Sequence, residues 1–241
     1  MSEGRRFTSS RRVHLGDAST RGRIRLDAIA RFVQDVAADD AAEAHLPDNH
    51  GWVVRRLEMT IRRRPVLYED VELTTWCGGC GARWAERSTR LTTTDAHGEP
   101  VVAVDARAIW VYVNLETGSP EPLPDEFFAM YGDHLRQHLV RARLTHPAPP
   151  DGAARRPWVL RTADFDVLGH VNNAAYWAPV EELADGARIE RAEIEFRAGL
   201  EPGDEPFVLS TRDGDDLAAW FVVDDEVRAS VRLGLARAAS F

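Results

Sequence analysis

The sequence predicts an α+β fold in which antiparallel strands wrap a central helix, with that unit written twice along the chain. Three observations carry the prediction. A long degenerate repeat aligns the early stretch "GDASTRGRIRLDAIARFVQD" with the later "TADFDVLGHVNNAAYWAPVEE". Each copy then moves from a helical apolar spacing to runs of period two. The strand-like runs far outnumber the helical ones, so each helix has a sheet to bury against.

The elements follow in order. In the first copy a short lead-in strand precedes a helix on which Ile29, Phe32, Val33 and Val36 form one apolar face. Strands follow, among them "LEMTIRRRPVLYEDVEL" and the more apolar "VVAVDARAIWVYV". "PDEFFAMYGDHLRQHLV" reads as a helix packed outside the sheet, and "THPAPPDGAARRP" as a linker. The second copy repeats the order, with one long helix after its lead-in strand. It closes on "VRASVRLGL", where Val227, Ala229, Val231, Leu233 and Leu235 share one side. In the alignment Asp17 falls on Asp164, Gly22 on Gly169, Ile24 on Val171 and Arg62 on Arg197. The helix starts lie 147 residues apart (Arg23 to His170) and the next strands 135 apart (Met59 to Ile194). Two domains are expected, at 1–144 and 158–241, with the linker at 145–157.

Composition narrows the function classes. Of 241 residues, 44% are hydrophobic and 29% charged, an ordinary globular balance. A net charge of −9 argues against nucleic-acid binding. Two cysteines cannot build a disulfide framework, so a reducing compartment is expected. No run reaches the ~20 apolar residues of a membrane span, and the Arg-rich start lacks the apolar core of a secretory signal. A cytoplasmic protein is expected. All 30 cationic residues are arginine; the run 62–64 and the pair Arg155-Arg156 read as solvated faces. Cys77-Gly-Gly-Cys80 reads as a hairpin turn rather than a zinc or redox pair. His45, His50, His134 and His138 read as surface or packing residues. Glu181 and Glu182 read as a solvated helix face, and Tyr176 and Trp177 as core.

The chemistry concentrates in "ADFDVLGHVNNAAYW", residues 163–177. A helix start offers unpaired N–H groups and a positive dipole end. A carboxylate beside it can position and deprotonate water. Asp166 and His170 stand four apart, Gly169 permits close backbone approach, and Asn172 and Asn173 shape the turn. The competing use of these residues is a helix cap, in which Asp166 or Asn173 satisfies amides. The first copy carries Ser19 and Arg23 in place of Asp166 and His170, and is expected to be catalytically empty.

"DVLGHVNN" followed by "AAYW" resembles the D-x-x-G-H-V-N-N-x-x-Y signature of hot-dog thioesterases. "GWVVRRLEMTIRRRPVLYEDVELTTWCGGCGARWAERSTRL" and "ARAIWVYVNLETGSPEPLP" resemble the acyl-acyl-carrier-protein (acyl-ACP) thioesterase family in its bacterial form. Together the likeness runs from about Phe7 to Leu235. It implies a tandem hot-dog fold and hydrolysis of acyl-ACP to fatty acid and carrier, in fatty acid biosynthesis. Asp166 would activate or position water, and His170 would serve as a polar partner to the substrate or to Asp166. Gly169, Asn172 and Asn173 would support the turn. The apolar face of Ile29, Phe32 and Val33 would hold the acyl chain. No cofactor or metal is implied; the partner would be the carrier with its phosphopantetheine-linked acyl chain, and a homodimer is compatible. Two departures stand out. The family typically shows D-x-N-x-H, where this chain has Leu168. Plant members carry a Glu-Cys pair where this chain has Gly199 and Leu200. The chemistry would then rest on Asp166 alone, as in the 4-hydroxybenzoyl-CoA thioesterase type. The rival functions are an acyl-CoA thioesterase and a non-catalytic acyl-binding or sensor protein.

Overall fold

The computed structural model describes residues 4–43 and 50–236; His45 lies outside them. Among the described residues ten strands form one antiparallel sheet. They are β1 (Arg6–Arg12), β2 (His50–Ile61), β3 (Asp70–Cys80), β4 (Trp84–Thr94), β5 (Pro100–Asn114), β6 (Ala154–Pro157), β7 (Ile189–Phe196), β8 (Phe207–Asp213), β9 (Asp216–Val223) and β10 (Glu226–Leu235). The α-helices are α1 (Leu26–Glu43), α2 (Asp125–Tyr131) and α3 (Trp177–Leu183). The sheet order is β1-β3-β4-β5-β2-β7-β10-β9-β8-β6. Read outward from the β2/β7 junction, the two halves have the same order of equivalent strands. Glu58 sits opposite Glu193 at the centre, with Leu57 opposite Ile194 and Met59 opposite Ala192.

The repeat is visible bond by bond. The amide of Ser19 donates to the carbonyl of Arg23, as that of Asp166 does to His170. The amide of Arg25 donates to Asp17, as that of Asn172 does to Asp164. Ile24 donates to Pro65 where Val171 donates to Leu200. Isolated bridges Ala18–Ile24 and Phe165–Val171 close the two turns.

One face of the sheet packs on α1. Period two sends Leu57, Met59, Ala106, Ala108, Ile194, Val231 and Leu233 to that face, where they join Ile29, Phe32, Val33 and Val36 in a core that spans both halves. The expected side of β10 is buried there from Ala229 to Leu235, with a bulge between Val227 and Ala229. The helix starts where Glu181 of α3 accepts the Leu26 amide at 2.8 Å, an N-cap supplied by the other half.

Four expectations change. The second helix is short: residues 173–176 form turns, and α3 has seven residues. Its entry is held by i+3 bonds (Trp177 to Ala174, Ala178 to Ala175), and Pro179 has no amide to start an α pattern earlier. The helix expected outside the sheet, α2, lies on the α1 face. Phe127 and Tyr131 pack with Ala85 and Tyr112, and the Tyr131 hydroxyl donates to Asp40 of α1 at 2.9 Å. The two cysteines lie in β3, with Gly78 at a bulge, and the hairpin turn comes after them. Glu181 is no solvated residue; besides its cap it pairs with Arg64.

Segment 138–147 crosses the opposite sheet face. The indoles of Trp84 and Trp220, one in each half, donate to its carbonyls at Val140 and Pro147. Glu195, fully buried, accepts the amides of Thr145 at 2.5 Å and His146 at 3.0 Å. Both carboxylate oxygens are thereby satisfied, as a buried charge requires. The chain then enters β6, the edge strand beside β8.

Candidate active site

The turn that carries the motif is built by side chains that cap one another. Asp164, buried, takes the Arg161 amide at 2.8 Å and its guanidinium at 2.6 Å. Burial alone would raise its pKa, but these bonds outweigh it and hold it below the usual carboxylate range. The chain then loops out and returns at His170, whose carbonyl accepts the Asp166 amide at 3.0 Å. Gly169 sits at φ +80°, a left-handed conformation that glycine adopts without strain. Oδ1 of Asp166 accepts the Leu168 amide at 3.0 Å. Oδ1 of Asn172 accepts the Ala174 amide at 2.9 Å and closes an Asx turn ahead of α3, whose own first turn has no side-chain cap.

Asp166 and Asn173 face a cavity of about 350 Å³. Its walls come from both halves of the chain. Helix α1 contributes Gln34, Ala37, Ala38 and Ala41; strands of the first half contribute Trp52, Cys77, Ala85, Glu86, Arg87 and Trp110; α2 contributes Phe127. Leu168, the residue standing where the family has asparagine, lines it too. Large apolar walls with few convergent polar groups are the make-up of a small-molecule site. The Trp110 indole N–H is buried without a partner among the described residues.

The other sequence candidates are distributed differently. His170 is exposed and does not line the cavity; its ring lies over Gly199, where a Cβ would come within 3.0 Å of Nδ1. Gly199, where the resemblance leads one to expect a glutamate, therefore lies beside His170, and among the described residues no carboxylate pairs with the ring. Ile29, Phe32 and Val33 are buried in the α1–sheet core, and the cavity borders the next stripe of the helix. With α3 so short and set back from the motif, the turn amides rather than a long helix dipole surround Asp166.

One end of the cavity is fixed by a buried ionic cluster that local sequence did not reveal. Asp40, 1% exposed, pairs with Arg87, accepts Arg5 Nε at 2.7 Å and accepts the Tyr131 hydroxyl. Burial pushes the Tyr131 phenol up to about 12. The participants are far apart in sequence, so only the fold unites them. The small-residue stripe Ala37, Ala38 and Ala41, at helical spacing, is the signal that sequence reading could have used. Both thiols are free, and burial raises them, Cys77 to about 12, which disfavours the nucleophilic thiolate. His50 pairs with Glu121 at 2.8 Å, while His134 and His138 stack edge to face.

A profile of the acyl-ACP thioesterase N-terminal domain matches residues 4–131. The chain belongs to the acyl-ACP thioesterase family. It is a thioester hydrolase by that membership. An uncharacterized Mycobacterium tuberculosis protein is 30% identical over 240 residues, covering 96% of this chain and 93% of the relative. An acyl-[acyl-carrier-protein] hydrolase of Cuphea viscosissima is 26% identical over 53% of this thioesterase and 31% of the plant protein. Among solved structures, a Lactobacillus plantarum oleoyl thioesterase aligns over 99% of both chains with a TM-score of 0.80 and 19% identity. A 12:0-ACP thioesterase from Umbellularia californica aligns over 96% of this chain and 97% of its own, with a TM-score of 0.78 and 19% identity. These likenesses establish the hot-dog fold. No helix among the described residues is long and apolar enough to cross a membrane.

Proposed function

We propose that the thioesterase hydrolyses acyl-acyl-carrier-protein to free fatty acid and carrier, with water activated by Asp166. The observation that carries this is the half-buried Asp166 carboxylate, placed by the motif turn on the wall of a cavity whose remaining lining is mainly alanine, leucine and aromatic side chains, with Gln34, Glu86, Arg87 and Asn173 as its other polar groups. A thioester seated there would put its acyl chain along Ala37, Ala38, Trp52 and Phe127. Water between carboxylate and carbonyl would lose its proton to Asp166 as it attacks, and the thiolate leaves on the carrier's phosphopantetheine arm. General-base catalysis of this kind is worth ~10²–10⁴-fold. The Trp110 indole offers a donor for a substrate oxygen, and an unpaired buried donor gains most from such a partner. His170 acts at the rim as a polar partner of the arm or of the turn. The first half, 1–144, supplies most of the acyl pocket; the second, 158–241, supplies the carboxylate. The family profile and the names of the plant relatives support the carrier-bound substrate, and a free fatty acid product is in keeping with a place in fatty acid biosynthesis.

The test is a thiol-release assay with acyl-ACP and acyl-CoA of varied chain length. Carrier substrates should be cleaved faster than their CoA counterparts. Faster cleavage of CoA esters would transfer the assignment to an acyl-CoA thioesterase. Tight acyl binding without release of thiol would make the chain a binding protein, a reading favoured by the lack of any polar group at Gly199 beside His170.

A further inference from the structure

The cavity with Asp166 has a counterpart. Where the turn of the first copy meets α3 of the second, a cleft of about 910 Å³ occupies the equivalent position across the pseudo-twofold. Ser19 stands for Asp166, Arg21 for Leu168, Glu181 for Gln34 and Ala187 for Trp52. The Asp166 cavity has aromatic walls; this cleft is lined by seven arginines and two glutamates. In a chain of net charge −9, that is a concentrated patch of the opposite sign.

Most of these guanidinia are engaged by carboxylates, but three keep donors to spare. Arg64 pairs through Nη1 with Glu181, while its buried Nη2 has no hydrogen-bond partner among the described residues. A buried N–H without an acceptor calls for one. Arg21 lies across Gly186, donates one bond to that residue's carbonyl at 3.0 Å and pairs with no carboxylate among the described residues. Arg23 is exposed and makes no side-chain bond among the described residues. Glu181 pairs with Arg64 and accepts the Leu26 amide, so it offsets one guanidinium; with Glu182 it sets two carboxylates against the seven arginines of the lining, which stays cationic.

We propose that this cleft is an anion site for a phosphate-bearing ligand, a diphosphate or a phosphate ester, held by Arg21, Arg23 and Arg64. The planar fork of arginine matches paired phosphate oxygens, and such charge-assisted bonds are the strong ones. The degenerate copy has thus exchanged a carboxylate site for a cationic one at the same place in the fold. This inference does not rest on the reaction assigned to Asp166.

Calorimetric titration at low salt, with inorganic pyrophosphate, ADP and phosphate-free adenosine as probes, tests it on the full chain. Pyrophosphate and ADP should bind and adenosine should not. Tighter binding of ADP would assign a nucleotide and tighter binding of pyrophosphate a free diphosphate; both support the site. The double variant R21A/R23A removes two exposed side chains and should fold with an unchanged melting temperature. Its affinity for either probe should fall by roughly tenfold to a hundredfold, the loss expected for one or two charge-assisted bonds. No heat from either phosphate probe, equal binding of adenosine, or unaltered affinity in R21A/R23A would overturn the proposal.

Discussion

The Leu168 amide donates to Oδ1 of Asp166 at 3.0 Å, and that bond divides the carboxylate into a held oxygen and an open one. Oδ2 accepts no hydrogen bond among the described residues, which is what a general base needs before water arrives. Asp166→Asn keeps the shape and can still accept the Leu168 amide through its carbonyl oxygen. It cannot take a proton. Thioester hydrolysis should fall ~10²-fold or more while the melting temperature stays near wild type. Turnover like wild type in a folded Asp166→Asn protein would remove Asp166 from the mechanism.

The turn around Asp166 also shows what the sequence made legible. Its repeat partner stands out in spite of weak identity, and the structure returns the same bonds at Ser19 and Asp166 because backbone geometry outlives side chains. The apolar stripe of α1 and the alternation of β10 translate directly into burial, since both depend on local period alone. The length of the second helix did not, because "AAYWAP" satisfies an apolar pattern while Pro179 limits its backbone bonding. The cavity walls were hidden for a different reason. Trp52, Arg87 and Phe127 reach one space only after β2, β4 and α2 are placed, and no spacing in the chain encodes that meeting.

Leu168 stands at the family's asparagine position, exposed at the cavity wall. Its amide, not its side chain, holds Asp166, so Leu168→Asn leaves the turn intact. An added amide group would give the attacking water or the substrate one further polar partner. Activity should rise or remain comparable, read as kcat and KM on one acyl-ACP. A folded but inactive Leu168→Asn protein would show that the site is built around an apolar residue here.

Acid stability should depend on Asp27 at the start of α1. Its side chain is mostly buried, which alone would raise its pKa, but hydrogen bonds from Arg25 at 2.9 Å and Arg31 at 2.6 Å outweigh burial and lower it. A depressed folded-state pKa contributes stability above the unfolded value of about 4, and that contribution is lost as pH falls through the folded value. Asp27→Asn should therefore cost roughly 2 kcal/mol at neutral pH, the worth of a charge-assisted bond. The gap to wild type should close as pH is lowered below about 4. Melting curves from neutral to acid pH measure it; a gap that is constant across that range would contradict the linkage.

The last prediction separates two stripes of α1. Val33 belongs to the stripe packed on the sheet, at 4% exposure, and Val33→Trp adds volume to a filled core. Overpacking of that kind costs about 1–3 kcal/mol, so it should lower the melting temperature and leave the order of preferred substrates alone. Ala38 and Ala41 belong to the stripe that borders the cavity. Ala38→Leu or Ala41→Leu fills space that the proposed acyl chain would use, without displacing core atoms. Each methylene excluded forfeits ~0.8 kcal/mol of apolar burial, so exclusion of two carbons should shift relative rates about tenfold toward shorter acyl chains. A short substrate should be turned over nearly as fast as before, because Asp166 and the Leu168 amide are untouched. The measurement is a chain-length profile taken beside a melting curve for each variant. A changed profile in Val33→Trp with none in Ala38→Leu or Ala41→Leu would move the acyl tunnel onto the stripe of Ile29, Phe32 and Val33, and would leave the Asp166 cavity without an acyl chain to hold.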